Sequence, residues 1–364
     1  MEAEIKTNED LGYDAFFESN RQPLSLDDFV VARVVAEYRG VYKVRNFNHV
    51  YLARVTGKRM FEAKEREDYP AVGDWVLISE ADKENAVIHD ILPRKTALKR
   101  KAIGKDDIQI IATNIDTALI IESVDRDFNL NRLERYSALA KDGGIKPAII
   151  LNKVDLISSA ELKLKQDQIK NRFGEVDLIL TSNVTSEGLA ELRQYIQKGQ
   201  TYCFLGSSGV GKSSLINNLL GKDIIKTEDI GIGTNRGKHV TTNRVMYFLP
   251  NGGIVIDNPG MREVGMVDSE EGIDDFFSEI TGLTTRCKYT DCTHIHEPGC
   301  AVLAALTAGQ LDAGKYNNYL NLKKEAGYYE MTELEKREKD QQFGKFIKKA
   351  KKDLEDYGHK NFGR

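Results

Sequence analysis

The segment Gly206-Ser207-Ser208-Gly209-Val210-Gly211-Lys212-Ser213 constrains this chain more than any other. It spells G-x-x-x-x-G-K-[ST], the pattern of a phosphate-cradling loop. Its flanks agree, because Thr201–Leu205 reads as a strand and Ser214–Leu220 as a helix. Glycines there let backbone N–H groups turn inward onto phosphate oxygens, and the helix N-terminus adds its partial positive charge. Lys212 is expected to reach the terminal phosphates and the Ser213 hydroxyl to bind Mg²⁺. Gly206, Ser207, Ser208, Gly209, Val210, Gly211 and Ser214 complete the expected phosphate contacts. Strand and helix signals alternate from Ala118 to Ile256, which predicts a parallel sheet with helices on its faces.

A second element names the base. Asn152-Lys153-Val154-Asp155 follows the apolar run Ala148–Leu151. N-K-x-D at the carboxyl end of a strand suits guanine, whose N1 and N2 donors both fit one carboxylate, here Asp155. A site built for that hydrogen-bond pattern rejects adenine, because the wrong base leaves buried groups unpaired. Thr181-Ser182-Asn183 follows another short apolar run and fits either a base-supporting loop or an ordinary helix-capping turn. Downstream, Asp257-Asn258-Pro259-Gly260 has the D-x-x-G form, whose Asp sits near Mg²⁺ and whose Gly amide meets the γ-phosphate. Between it and the phosphate loop lies Gly231–Thr242, where either Thr241 or Thr242 is expected to complete the Mg²⁺ shell.

These motifs stand in a rotated order. In GTP-binding proteins the phosphate loop leads and N-K-x-D comes late, whereas here N-K-x-D and Thr181-Ser182-Asn183 come first. A sheet domain survives such a circular permutation when the old termini lie close together. The D-x-x-G loop then runs straight into the segment that follows, so a γ-phosphate-dependent movement would pull on it.

That following segment holds Cys287, Cys292, His294, His296 and Cys300, while Cys203 stands alone ahead of the phosphate loop. Clustered Cys and His point to a closed structural zinc site rather than disulfides. Three thiolates and one imidazole fill the set, with His294 or His296 as the imidazole. Before the nucleotide motifs, Val30 to Leu92 reads as about five short strands, which fits an OB-fold or an SH3-like barrel. Val30 to Asp68 carries nine Lys/Arg against five Asp/Glu, and Arg94, Lys95, Lys99, Arg100 and Lys101 follow. Such stretches suit RNA phosphate as well as a solvated face. The whole chain is weakly acidic, with net charge −4. No apolar run is long enough to span a bilayer and no secretory pattern opens the chain, so a cytoplasmic protein is expected.

The expected organisation is a multidomain chain. Residues 1–29 form an N-terminal extension, 30–93 an RNA-binding OB-fold β-barrel, 94–104 a basic linker, 105–264 a circularly permuted α/β P-loop GTPase domain, and 265–364 a mostly α zinc-binding domain with a charged tail.

The combination resembles the RsgA (YjeQ) family, the circularly permuted, ribosome-dependent GTPases of bacterial small-subunit biogenesis. The resemblance spans nearly the whole chain, including Val72-Gly73-Asp74-Trp75 in the barrel, the permuted motifs, and the run from Cys292 through Glu297-Pro298-Gly299 to Cys300. It implies slow intrinsic GTP hydrolysis stimulated by the small ribosomal subunit, contact with its rRNA, a role in late subunit maturation, and His294 as the fourth zinc ligand. Three places depart from it: Asn258 stands where the family has Thr or Ser, the family's run of three Thr reads Val240-Thr241-Thr242, and the guanine-supporting loop is diverged at Ser182-Asn183.

Ras-like enzymes orient water with a Gln directly after D-x-x-G, but this chain has Met261 there. His239 is the nearest group able to position water, and the resemblance makes it the expected catalytic residue. Two other readings compete with a ribosomal GTPase: a P-loop kinase acting on a small molecule, and a GTP-binding RNA-binding module without turnover. No membrane partner is expected, and a monomer is the expected state.

Overall fold

A computed structural model describes residues 5–21, 29–38, 40–101, 108–125, 128–225, 244–258 and 270–331, together with 335 and 341. The chain starts with a short helix, α1 (Ala15–Arg21), and then builds a barrel from β1 (Val30–Tyr38), β2 (Val41–Arg45), β3 (Val50–Val55), helix α2 (Gly57–Glu62), β4 (Trp75–Glu80) and β5 (Asn85–Ile91). Strand order is β1-β2-β3-β5-β4, and β4 closes back onto β1. β3 and β5 run parallel. This is the five-stranded, OB-like closure. Ala32, Val34, Tyr42, Val44, Tyr51, Val76 and Ile88 fill its interior.

β1 is buried on both faces, which explains why Val30–Ala36 is apolar apart from Arg33. Its alternate residues Val31 and Arg33 are covered by the N-terminal residues, not by water. Leu11, Tyr13 and Phe17 pack with Val31, Trp75, Leu77 and Leu92. The Tyr13 ring meets Trp75 edge-on at 4.8 Å. Leu11, Tyr13 and Phe17 are therefore part of the barrel's outer core.

The expected basic linker also differs. β6 (Ala97–Lys101) pairs antiparallel with β7 (Ile108–Thr113), and Leu98 is fully buried. Arg94 is drawn inward by the buried carboxylate of Asp74, with bonds of 2.8 and 2.7 Å. Lys95 pairs with Asp14, and Lys99 with Glu67 at 3.0 Å. The charge count suited RNA phosphate or a solvated face; in the structure Arg94, Lys95 and Lys99 each pair with a carboxylate distant in sequence.

The central domain contains β8 (Thr117–Ser123), helix α3 (Leu130–Asp142), β9 (Lys146–Asn152), α4 (Ser159–Phe173), β10 (Leu178–Thr181), α5 (Leu189–Tyr195), β11 (Thr201–Leu205), α6 (Lys212–Leu220), β12 (Val245–Phe248) and β13 (Ile254–Asp257). Spatial order is β10-β9-β8-β11-β13-β12, parallel throughout except for β12. Alternate strand residues feed two cores. Ala118, Ile120 and Cys203 pack with α3 residues, and Leu119, Ile121 and Phe204 with α5 and α6 residues. β12 also pairs with β1 at Ala36 and Val245, so barrel and central domain share one eleven-stranded sheet.

Among the described residues up to Met331, four helices follow: α7 (Glu270–Phe276), α8 (Ser278–Thr284), α9 (Ala301–Thr307) and α10 (Ala313–Glu330). Their core of Ile273, Phe277, Ile280, Val302, Tyr319 and Leu322 also takes in Ala138 of α3. No helix among the described residues is long and apolar enough to cross a membrane.

Candidate nucleotide site and metal centre

The sequence-predicted nucleotide residues converge at the carboxyl ends of β8, β9, β10, β11 and β13. In a doubly wound sheet, that edge at the point where helices change faces is where ligands bind. Here α3 follows β8 on one face and α6 follows β11, its neighbour, on the other.

Asn152 ties the motifs together. It is fully buried at the end of β9, in register with Thr181 of β10 and Ser123 of β8. Its side-chain amide donates to Val210 O in the phosphate loop at 2.8 Å, and its oxygen accepts from the Thr181 hydroxyl at 3.0 Å. Gly211 is the glycine this arrangement requires. Its φ is +97°, and a Cβ there would sit 2.3 Å from Asn152 Nδ2. A side chain there would have to displace the Asn152 amide that bonds Val210 O.

The predicted base-supporting loop also lies here. The Ser182 hydroxyl donates to Asp155 Oδ1 at 2.5 Å, fixing the carboxylate expected to read guanine. Ser182 Oγ also accepts from the amides of Val184 and Thr185, so the same residue caps its own turn. Ser182 thus caps a turn ahead of α5, whose own N-cap is Gly188, while it also holds Asp155. Asn183 contributes more than its sequence suggested: it donates to Gly211 O at 3.4 Å and accepts from Asn218 of α6 at 2.9 Å.

In the phosphate loop, Val210 is buried as an anchor. Ser207 and Ser208 are half-buried, Gly209 is exposed, and Lys212, Ser213 and Ser214 open α6 half-buried. Lys212 Nζ donates to Gly206 O and Ser207 O, both at 2.6 Å, so its ammonium lies inside the loop where phosphates would compete for it. Asp257 ends β13, opposite Phe204 of β11. Burial raises its carboxyl above the ordinary range, and the Lys212 charge opposes that rise. Asn258 donates to the buried Cys203 thiol at 2.7 Å, which gives Cys203 a packing role beneath the loop. Gly260, Met261, His239, Thr241 and Thr242 lie outside the described residues.

One partner was not foreseen. Lys153 Nζ pairs with Asp125 of the β8–α3 loop at 2.9 Å. Asp125 follows an apolar strand just as the other site residues do, and that position was the available signal.

The Cys/His cluster forms a compact set. One ligand atom each from Cys287, Cys292, His294 and Cys300 lies within 4.8 Å of the others. The edges Cys287–Cys300 (3.9 Å), Cys287–His294 (3.6 Å) and Cys300–His294 (3.5 Å) fit a tetrahedron around zinc, for which bonds of about 2.0 to 2.3 Å give edges of about 3.5 to 3.8 Å. His294 adopts a positive φ of 63°, and its carbonyl accepts from Tyr316 of α10 at 2.7 Å. His296 is exposed and stands outside the set, which decides between the two histidines.

A family model described as the RsgA GTPase matches residues 91–267. A Lactiplantibacillus plantarum protein, "Small ribosomal subunit biogenesis GTPase RsgA 2", is 43% identical across 82% of this chain and 84% of its own. A Bacteroides thetaiotaomicron relative, "Small ribosomal subunit biogenesis GTPase RsgA 1", is 39% identical across 89% and 91%. The chain belongs to the RsgA GTPase family. Solved structures agree on the RsgA fold. YjeQ from Thermotoga maritima superposes with a TM-score of 0.61 at 24% identity, over 81% of this chain and 97% of that one. YloQ, described as a circularly permuted GTPase, gives 0.60 at 25% identity over 84% and 97%. The rotated motif order is therefore a feature of the RsgA architecture, and the strand order explains how it works. Chain order changes, yet β8 and β13 still flank β11.

Proposed function

We propose that this chain hydrolyses GTP to GDP and phosphate while bound to the small ribosomal subunit, and assists late subunit maturation. The observation that carries the reading is the double link of Asn152, to Val210 O in the phosphate loop and to Thr181 beside Ser182 and Asp155. It supports one pocket with a guanine end and a phosphate end. The names of the relatives supply the partner.

At the base end, Asp155 accepts from N1 and N2, held for that by Ser182, while Asn152 and Lys153 frame the base and Thr181 braces Asn152. At the phosphate end, amides from Gly206 to Ser214 surround the oxygens and Lys212 trades its loop carbonyls for the terminal phosphates. Ser213, Asp257 and Thr241 or Thr242 are assigned to hold Mg²⁺, which when bound screens charge on the phosphates. Gly260 meets the γ-phosphate through its amide. His239 is assigned to position the attacking water, since Met261 offers no hydrogen bond. Cys287, Cys292, His294 and Cys300 are assigned one structural zinc ion, with no open ligand position for catalysis. The barrel at 30–93 is assigned to rRNA contact, 105–264 to the nucleotide and 265–364 to the zinc domain. The chain is assigned to the cytoplasm as a monomer.

The deciding measurement is GTP turnover with and without small ribosomal subunits. Stimulation supports the reading. Phosphorylation of a small molecule would favour a kinase, and binding without turnover an RNA-binding module. His239→Ala is expected to retain GTP binding and lose the stimulated rate by orders of magnitude. Undiminished stimulation would remove His239 from the mechanism.

A further inference from the structure

We propose that Asp125 is a positioning residue for nucleotide binding, acting through Lys153; the inference rests on the guanine reading above. Asp125 and Lys153 leave the ends of adjacent parallel strands. Ser123 of β8 is in register with Asn152 of β9, and the Val124 amide donates to Asn152 O at 3.1 Å. Lys153 then takes a left-handed backbone, φ 63°, which swings its side chain out of the strand direction.

Both carboxylate oxygens of Asp125 are engaged. The Ser123 hydroxyl donates to Oδ1 and Lys153 Nζ to Oδ2, each at 2.9 Å. The carboxylate is thus aimed before the lysine arrives. Side-chain exposure is 24% for Lys153 and 29% for Asp125, so the pair is partly shielded from water.

Lys153 stands between Asn152, bound to the phosphate loop, and Asp155, held by Ser182. An untethered lysine on a four-carbon stem would sample many rotamers, and ordering it on binding would cost affinity. Anchoring the ammonium on Asp125 lays the apolar stem along the base end of the pocket in advance, while the charge stays paired away from the base. Asp125 does not touch the nucleotide. It fixes the residue that does.

The test uses the full chain and calorimetric titration with GDP, a non-hydrolysable GTP analogue and IDP. Asp125→Ala is expected to weaken GDP and the GTP analogue by the same factor, about two- to tenfold. The preference for GDP over IDP is expected to remain, because Asp155 still reads the 2-amino group. Lys153→Met is expected to show a loss of similar size, and adding Asp125→Ala to it no further loss. Asp125→Glu is expected to restore part of the affinity. Asp125→Asn keeps the volume and the Ser123 bond but drops the charge, so it reports on the ion pair if the Ala variant misfolds. Unchanged affinity in Asp125→Asn, or additive losses in the double variant, would overturn the inference alone. Failure of the unmodified chain to bind GDP would overturn the guanine reading beneath it.

Discussion

The central domain is joined to its two neighbours in different ways. The barrel is fused to it by backbone. β1 pairs with β12, and the Thr113 amide donates to Val72 O. Gly73 has φ +103°, and a Cβ there would lie 2.1 Å from Thr113 O, so no side chain fits between the two chains. Arg33 is 1% exposed and donates to Leu11 O, Gly73 O and Asn114 O, one carbonyl from each of three parts of the chain. The helical domain is instead docked by side chains. Glu134 of α3, fully buried, receives Arg172 of α4 and Asn318 of α10. Arg135 forks onto Glu325 at 2.7 and 2.6 Å, and Phe276 packs near Phe173. A backbone seam transmits displacement rigidly, whereas a side-chain seam has alternatives to its native contacts.

If that contrast holds, perturbations should separate the two seams. Removal of the zinc proposed for the Cys/His cluster should have the largest effect, since structural zinc contributes on the order of 10 kcal/mol to small metal-bound units. Chelation is expected to lower helix content by circular dichroism while GDP affinity persists; joint loss would break the comparison. Arg33→Met keeps volume but takes the donor from Leu11 O and Asn114 O, while Gly73 O keeps the Asn114 amide, and a cost of about 2 to 5 kcal/mol is expected. Denaturant unfolding should show barrel and central domain losing stability together. Glu134→Ala leaves Arg172 without its buried partner at a cost of about 3 kcal/mol. Hydrogen exchange should rise in α7 and α10 with the barrel unchanged, and exchange spread through the barrel would contradict the split. Arg135→Ala removes a pair that is a quarter to a third exposed, so about 1 kcal/mol or less is expected, shrinking further at high salt.

The sequence revealed the site better than the seams, for a physical reason. The phosphate loop, N-K-x-D and the cysteine cluster are each built within a few residues, so their geometry is written locally. Asp74 with Arg94, Arg33 with Leu11 and Asn114, and Glu134 with Asn318 join residues far apart in the chain, and no periodicity announces them. The N-terminal residues carried no pattern because Leu11, Tyr13 and Phe17 meet Trp75 from a turn and a short helix rather than one regular face. Ala97–Lys101 read as a linker because its one buried residue, Leu98, sits among basic neighbours.

The expected pull of the D-x-x-G loop on the zinc domain also takes a more definite form. The covalent connection leaves from the end of β13, but the docking surface belongs to α3 and α4, which follow strands β8 and β9. The helical domain is thus joined to the central domain by sequence after β13 and by side chains at α3 and α4. Matching proteolytic patterns after residue 265 with GDP and a GTP analogue would argue against coupling by the connection.

The rotated strand order bears on how the protein is made. Synthesis delivers β8, β9 and β10 before β11, although β11 is the neighbour that covers the inner edge of β8. Until Thr201–Leu205 leaves the ribosome, β8 is an open edge, and in the finished protein every one of its residues is buried. Unpaired apolar edges invite misassembly. The barrel, completed earlier still, cannot shield that edge, since its own connection to the sheet runs through the later strand β12. A nascent chain stalled between α5 and β11 should therefore be the most aggregation-prone length of this polypeptide.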